Sequence, residues 1–294
     1  MRVVAVSVSL AVLLAAFASA RPAALADNPQ LTSISAPQAA GILAYGLNSN
    51  GDVAGTYFDG AGRYHGFVLR RGRFTTVDDP QASADNGGTF VLGLDARRDL
   101  VGHYWDSNGV VHAFMRHRGR FTTIDDPAGV NGSEASGINP KGDIVGAYID
   151  AGGTVHGFLR RGGYFFTIDD PFAGPLCIAS HIDPEGDIVG QYIDVDGASH
   201  GFLFHEGSYR TIDDPNAAPQ YGSWARGMSS AGDIVGGYAD SAGRSHGFIL
   251  HNGVFSTIDD GSSGTEAWAV TPRQHVIGTY WDAQGVPHGF LELP

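Results

Sequence analysis

The sequence predicts an all-β fold, a six-bladed β-propeller of four-stranded antiparallel blades, on three observations. One motif recurs six times, marked by His65, His112, His156, His200, His246 and His288 at spacings of 42 to 47 residues. That period is the one at which repeats build solenoids or propellers. Each copy holds four short segments rich in β-branched and aromatic residues, separated by turn residues, which is the content of one blade. Finally, the last copy stops after its third segment, at HGFLELP, while a spare fourth segment, LTSISAP from Leu31 to Pro37, precedes the first copy. One deficit matches the other, so the chain ends are expected to share a blade and close the ring. An open solenoid would instead need polar caps, and none is visible.

The third copy, which ends on Pro171, shows the elements most clearly. EASGIN is a short strand a, the innermost, and DIVGAYID alternates as strand b. Ala151-Gly152-Gly153 turns the chain into strand c, TVHGFLRR, and Gly162-Gly163 turns it into strand d, FFTID. The proline of DDP then stops the ladder because it has no N–H to donate.

Along the chain, residues 1–26 read as a secretory signal. Arg2 precedes an apolar run from Val3 to Phe17, and the small-x-small sites at Ala18-Ser19-Ala20 and Ala24-Leu25-Ala26 place cleavage after residue 20 or 26. The run is too short and alanine-rich for a retained span, so the mature chain, 27–294, is expected to be a single secreted domain, extracellular or periplasmic, without membrane insertion. A net charge of −13, with Lys141 the only lysine, excludes nucleic acid and anionic lipid as natural partners, since both select basic surfaces. Cys177 is the single cysteine, so no internal disulfide supports an exported fold. The mature protein is expected to be a monomer, with pairing through Cys177 between chains left open.

The recurring G-D-I-V-G-x-Y-x-D-x-x-G-x-x-H-G-F-L and F-T-T-I-D-D-P, over roughly 31–294, resemble the HAF-type repeats of predicted secreted bacterial proteins. The resemblance implies export and a repetitive β fold, with no biochemical activity to carry over. Three departures are local: Ala113 replaces the glycine of HGF, Gln274-His275 replaces Gly-Asp, and Gly261 replaces the proline after the fifth Asp doublet.

The six histidines invite a metal reading, but the geometry opposes it. Strand c lies two spacings of about 4.8 Å outside strand a, which puts the histidines on a circle of roughly 15 Å radius. Zinc needs nitrogens at about 2.0–2.1 Å, so no two can share an ion. Each is expected instead to bond a Thr or Asp of its own or the adjacent blade. The Asp doublets and the turn acids Asp59, Asp106, Asp150, Asp194, Asp240 and Asp282 make one face acidic. Calcium is conceivable there, best at Asp194 and Asp196, although these loops lack the dense oxygen spacing of a dedicated site. No cofactor is expected.

Function is sought where the copies differ and face the axis. Strand a gives two varied series: Leu43, Phe90, Glu134, Ile178, Trp224, Glu266, and two residues later Tyr45, Leu92, Ser136, Ser180, Arg226, Trp268. Tyr45, Trp224 and Trp268 offer flat apolar faces, and Glu134, Arg226 and Glu266 fix orientation, a ligand site at the channel mouth. His181 breaks a glycine pattern in the fourth copy. The first reading is a binding module for a glycan or a partner protein. The alternatives are a carbohydrate hydrolase or lyase using Glu134 and Glu266, and a structural envelope protein whose channel is merely plugged.

Overall fold

The computed structural model describes residues 31–293 apart from 38, 86 and 260. The expected signal and Asp260, half of the fifth Asp doublet, lie outside the described residues. The described chain contains strands and turns and no helix. Its strands group into six antiparallel four-stranded units. In blade three, strands a to d are Ser133–Ile138, Ile144–Ile149, Val155–Arg161 and Tyr164–Thr167. Besides the packing of their side chains, blades three and four share one parallel backbone pair, Val155 with Leu176. Bridges at the equivalent positions join Tyr64 to Gly88 between blades one and two, and Ser199 to Gly222 between blades four and five. No sheet closes on itself.

The spare N-terminal segment lies where the last copy is short of a strand. Leu31–Ile34 pairs antiparallel with Pro287–Glu292, from Leu31 opposite Glu292 to Ile34 opposite Gly289. Ile34, Ala269 and Ile277 of that blade share a buried cluster with Ile42, Ala44, Val53 and Phe67 of the first.

The core lies between blades rather than at the centre of the disc. The HGF phenylalanines Phe67, Phe114, Phe158, Phe202, Phe248 and Phe290 are all fully buried, each removal from water favouring folding by about 1.5–3 kcal/mol. Each of these rings lies over the glycine of G-x-Y in strand b. At Gly146 an added Cβ would sit 2.0 Å from Glu134 O and 2.9 Å from the Phe158 ring. The same distance to the strand a carbonyl, 1.9 to 2.1 Å, recurs at Gly55, Gly102, Gly190, Gly236 and Gly278. Strand a leans on strand b there because it carries a β-bulge in every blade, with register shifts between Ala44 and Gly46, Val91 and Gly93, Ala135 and Gly137, Ala179 and His181, Ala225 and Gly227, and Ala267 and Ala269.

The histidines lock each blade within itself. In blade three, His156 Nδ1 lies 2.6 Å from Asp169 Oδ2, the first acid of the doublet, and Nε2 lies 3.5 Å from Asp150 Oδ2. The imidazole stacks on Tyr148 at 5.1 Å, and the Tyr148 hydroxyl bonds Thr167. The same arrangement of two flanking carboxylates recurs at His65, His112, His200 and His246. His288 has Asp282 alone, because LTSISAP has lost the acids of strand d. The second acids of the doublets, Asp79, Asp126, Asp170 and Asp214, are buried and accept backbone N–H bonds two residues on.

These locks give stability a pH dependence. At His156 and His200 burial opposes the charge, but the doublet and turn carboxylates outweigh it and raise both imidazoles. At His246 the Asp259 bond leads the rise. A raised histidine contributes stability fully below its unfolded value of 6.5, and loses it as pH climbs through the folded value. The melting temperature is therefore expected to fall as the pH rises above 6.5. His156→Gln should lower stability by about 1–2 kcal/mol and flatten part of that slope. A flat melting profile across this range would contradict the assignment.

Candidate functional site

The bulges build the site. The extra residue in each is a member of the second varied series: Tyr45, Leu92, Ser136, Ser180, Arg226 and Trp268. A bulge leaves its extra residue out of the ladder and re-aims the side chain. All six are half-buried. The first series lies beside them, with Glu134 and Glu266 buried and Trp224 half-buried.

The sequence-predicted residues converge across blades. Tyr45 of blade one meets Trp268 of blade six edge to face at 4.6 Å. The Arg226 guanidinium of blade five stacks over the same indole at 4.5 Å, a cation–π contact. Glu134, Glu266 and Tyr45 all lie within electrostatic reach of Arg226. Gly237 makes room for Trp224, because a Cβ there would stand 2.6 Å from the indole Nε1. His181, the weaker addition, is held at the Met228 backbone, and burial lowers its imidazole to about 4.

Burial governs the protonation of the site. Removal from water lifts Glu134 and Glu266 to about 7, with Arg226 pulling each the other way. The same desolvation raises Tyr45 far above the usual phenol range and lowers Arg226. Near neutrality the two carboxyls are thus part protonated, and a small change in their surroundings moves a proton.

Sequence reasoning overlooked a second ring. Directly opposite the first series, strand b contributes Thr56, His103, Ala147, Gln191, Gly237 and Thr279. These occupy the x of G-x-Y, a variable position inside an otherwise uniform motif, and that variability was the available signal. His103 stacks on Phe90 at 4.6 Å, and its Nδ1 stands 3.5 Å from Glu134 Oε2 without a hydrogen bond. Burial holds this imidazole neutral, down to about 3.

The inner rings contain most of the buried polar atoms that lack a hydrogen-bond partner among the described residues. They are Thr56 Oγ1, His103 Nδ1, Ser180 Oγ, Trp224 Nε1, Arg226 Nε, Glu266 Oε2, Trp268 Nε1 and Thr279 Oγ1. Trp224 Nε1 lies near enough to Glu266 to favour its charged form while falling short of hydrogen-bond geometry. Buried polar groups are normally paired, and a cluster of exceptions marks a place built for polar company.

The turn acids are committed elsewhere. Asp194 Oδ1 accepts the N–H groups of Asp196 and Ala198, and Oδ2 meets His200 Nε2. Asp59, Asp106, Asp150, Asp240 and Asp282 cap their turns in the same way. Asp196 is exposed, and no metal-ligating cluster occurs among the described residues. Cys177, left open above for pairing between chains, is buried at 1 % exposure, its thiol donating to Ile168 O and pushed up to about 12 by burial. A thiol in that position cannot reach a second chain without opening blade four.

Comparisons with protein families and with curated proteins return no match. Solved structures do match in fold. TolB from Acinetobacter baumannii superposes with a TM-score of 0.56 at 12% identity, over 87% of this chain and 64% of that one, so this chain spans under two thirds of TolB. XC5397 from Xanthomonas campestris, described as a gluconolactonase, gives 0.55 at 11% identity over 94% and 99%. AofleA from Arthrobotrys oligospora gives 0.51 at 12% identity over 85% and 79%. At such identities the likeness is one of architecture.

Proposed function

We propose that this chain is an exported propeller, its ring closed through Leu31–Ile34, that binds a carbohydrate in the chamber on its axis. The observation that carries the reading is the set of eight partnerless buried polar atoms beside the faces of Tyr45, Trp224 and Trp268. Sugars present an apolar face of C–H groups, which stacks on an aromatic ring, and a rim of hydroxyls that both donate and accept. Half-buried bulge residues give such a ligand a route in, and a chamber drawn from six blades contacts it on all sides.

Isothermal titration against a panel of mono- and oligosaccharides tests the reading. Trp268→Ala is expected to weaken a sugar that binds by at least about ten-fold, since it removes the face that Tyr45 and Arg226 both support, an anchor of the kind that dominates binding. Glu266→Gln should change affinity only a few-fold, because an amide still donates and accepts. Unaltered affinity in Trp268→Ala and Trp224→Ala together would leave the chamber without a ligand and favour an envelope role.

A second reading, hydrolysis of a glycosidic or ester bond, rests on His103 beside Glu134. Glu134, a carboxyl lifted to about 7, can hold or release a proton near neutral pH, and the neutral His103 imidazole stands 3.5 Å from it as a polar neighbour. In that case Glu134→Gln keeps substrate bound and stops turnover, whereas in a binder no sugar is consumed by the wild type.

A further inference from the structure

The partnerless atoms of the chamber are unequal in kind. Trp224 Nε1, Trp268 Nε1 and Arg226 Nε are N–H groups that can only donate, and Glu266 Oε2 is the single carboxyl oxygen among them. The hydroxyls of Thr56, Thr279 and Ser180 serve either way. Two of the donor residues are in contact, the Arg226 guanidinium covering the Trp268 ring at 4.5 Å, and Trp224 lies two residues before Arg226 on the same strand, with Arg226 in its bulge. A hydroxyl of a neutral sugar offers two lone pairs and brings its own proton to a region already rich in donors. A carboxylate offers about four acceptor sites and brings none.

Resting on the carbohydrate reading above, we infer that the ligand is an acidic sugar, a uronic acid residue, whose carboxylate is held by Arg226 together with the indole N–H groups of Trp224 and Trp268. Arginine suits this task because its planar fork matches a carboxylate with two parallel bonds. The charged and titratable groups around it come from every other side of the chamber: Tyr45 from blade one, Glu134 from blade three, with His103 of blade two behind it, and Glu266 from blade six. Two carboxylates beside Arg226 would repel the incoming one. Below about pH 7 burial keeps most of both carboxyls neutral, so the ligand meets the Arg226 charge with the two opposing ones largely removed. Near neutrality, where both are part ionised, binding carries proton uptake by Glu134 and Glu266, and in their neutral forms both can donate to the sugar.

Titrations with glucuronate, galacturonate and the methyl ester of each test this, because the ester removes the charge and keeps the ring. At least one free acid is expected to bind about ten-fold or more tightly than its ester at pH 5.5, and to weaken about ten-fold between pH 6 and 8 as the glutamic acids ionise. Arg226→Gln should abolish the preference for acid over ester, with acid binding falling far more than ester binding. Trp224→Phe, which keeps a ring and loses the N–H, should cost the acid several-fold more than the ester. Esters binding as tightly as acids, or acid binding that strengthens as pH rises, would overturn the acidic-sugar inference and leave the carbohydrate reading standing. If neither the acids, nor the esters, nor the neutral panel bind, both fail together. A parallel melting curve for each variant separates loss of the site from loss of the fold.

Discussion

Gly146→Ala is expected to destabilise the protein by at least about 4 kcal/mol, near the upper limit for a single substitution. The new methyl carbon would lie 2.0 Å from Glu134 O and 2.9 Å from Ala135 Cα, both backbone, and 2.9 Å from the Phe158 ring. No rotamer relieves a Cβ clash with backbone, so either strand a leaves strand b or the bulge at Ser136 straightens. The first outcome breaks a blade, and the second turns the bulge residue away from the axis. Gly153→Ala is the matched control. It has open space around it and a φ of 86°, so its cost is limited to the left-handed backbone, about 1 kcal/mol. Urea denaturation of the two variants measures the contrast. A Gly146→Ala protein as stable as Gly153→Ala would show that strand a can lift off strand b cheaply, and the bulge would cease to explain the glycine of every G-x-Y.

Much of this architecture was legible because the repeat states it six times. Alternation located strands b and c, the Asp-Asp-Pro run ended strand d, and the orphan LTSIS identified the partner of the last strand. Tyr45, Glu134, Trp224, Arg226, Glu266 and Trp268 were singled out because they vary among small neighbours. What the sequence hid was the bulge, which has no compositional mark when the residues around it still alternate. Glu134, Ala135, Ser136 and Gly137 read as a regular strand, yet Ser136 pairs with nothing across from it. His103 escaped because variation was sought on strand a alone, although its place in G-x-Y varies as much. The acids of the G-D pairs marked the repeat in the sequence, and their contacts were not legible there. Asp99, Asp143 and Asp233 are buried, and each meets a side-chain nitrogen 18 residues on, at His117, Arg161 and His251. That pairing joins the turn between strands a and b to the end of strand c, a spacing visible only once the strands are in register.

Removal of the chain through Pro37 is the second large effect expected, a melting temperature lower by more than about 10 °C and aggregation on warming. The deletion takes Leu31–Ile34 from the edge of Pro287–Glu292 and opens four residue pairs of ladder. Ile34 is 7% exposed and sits over Gly289, whose added Cβ would stand 3.2 Å from Ile34 Cβ and 3.3 Å from Ala44 Cβ. Strand d of the last blade therefore packs against the first blade as well as its own. Ile34→Ala alone should cost about 2–5 kcal/mol, the range for truncating a buried aliphatic side chain. The full deletion adds a row of bare N–H and C=O groups along Pro287–Glu292, a template for another chain. Comparing the two variants separates the parts: both lose packing, whereas only the deletion should scatter light at temperatures below its own melting point. The buried cluster of Ile42, Ala44, Val53 and Phe67 with Ala269 and Ile277 would lose one wall, so blade one should loosen with blade six. Hydrogen exchange would register this as lost protection in Ala39–Leu47 together with Gly264–Val270. A truncated protein that stays monodisperse, with an unchanged melting temperature and full protection of both inner strands, would mean that the ring does not depend on its N-terminal strand.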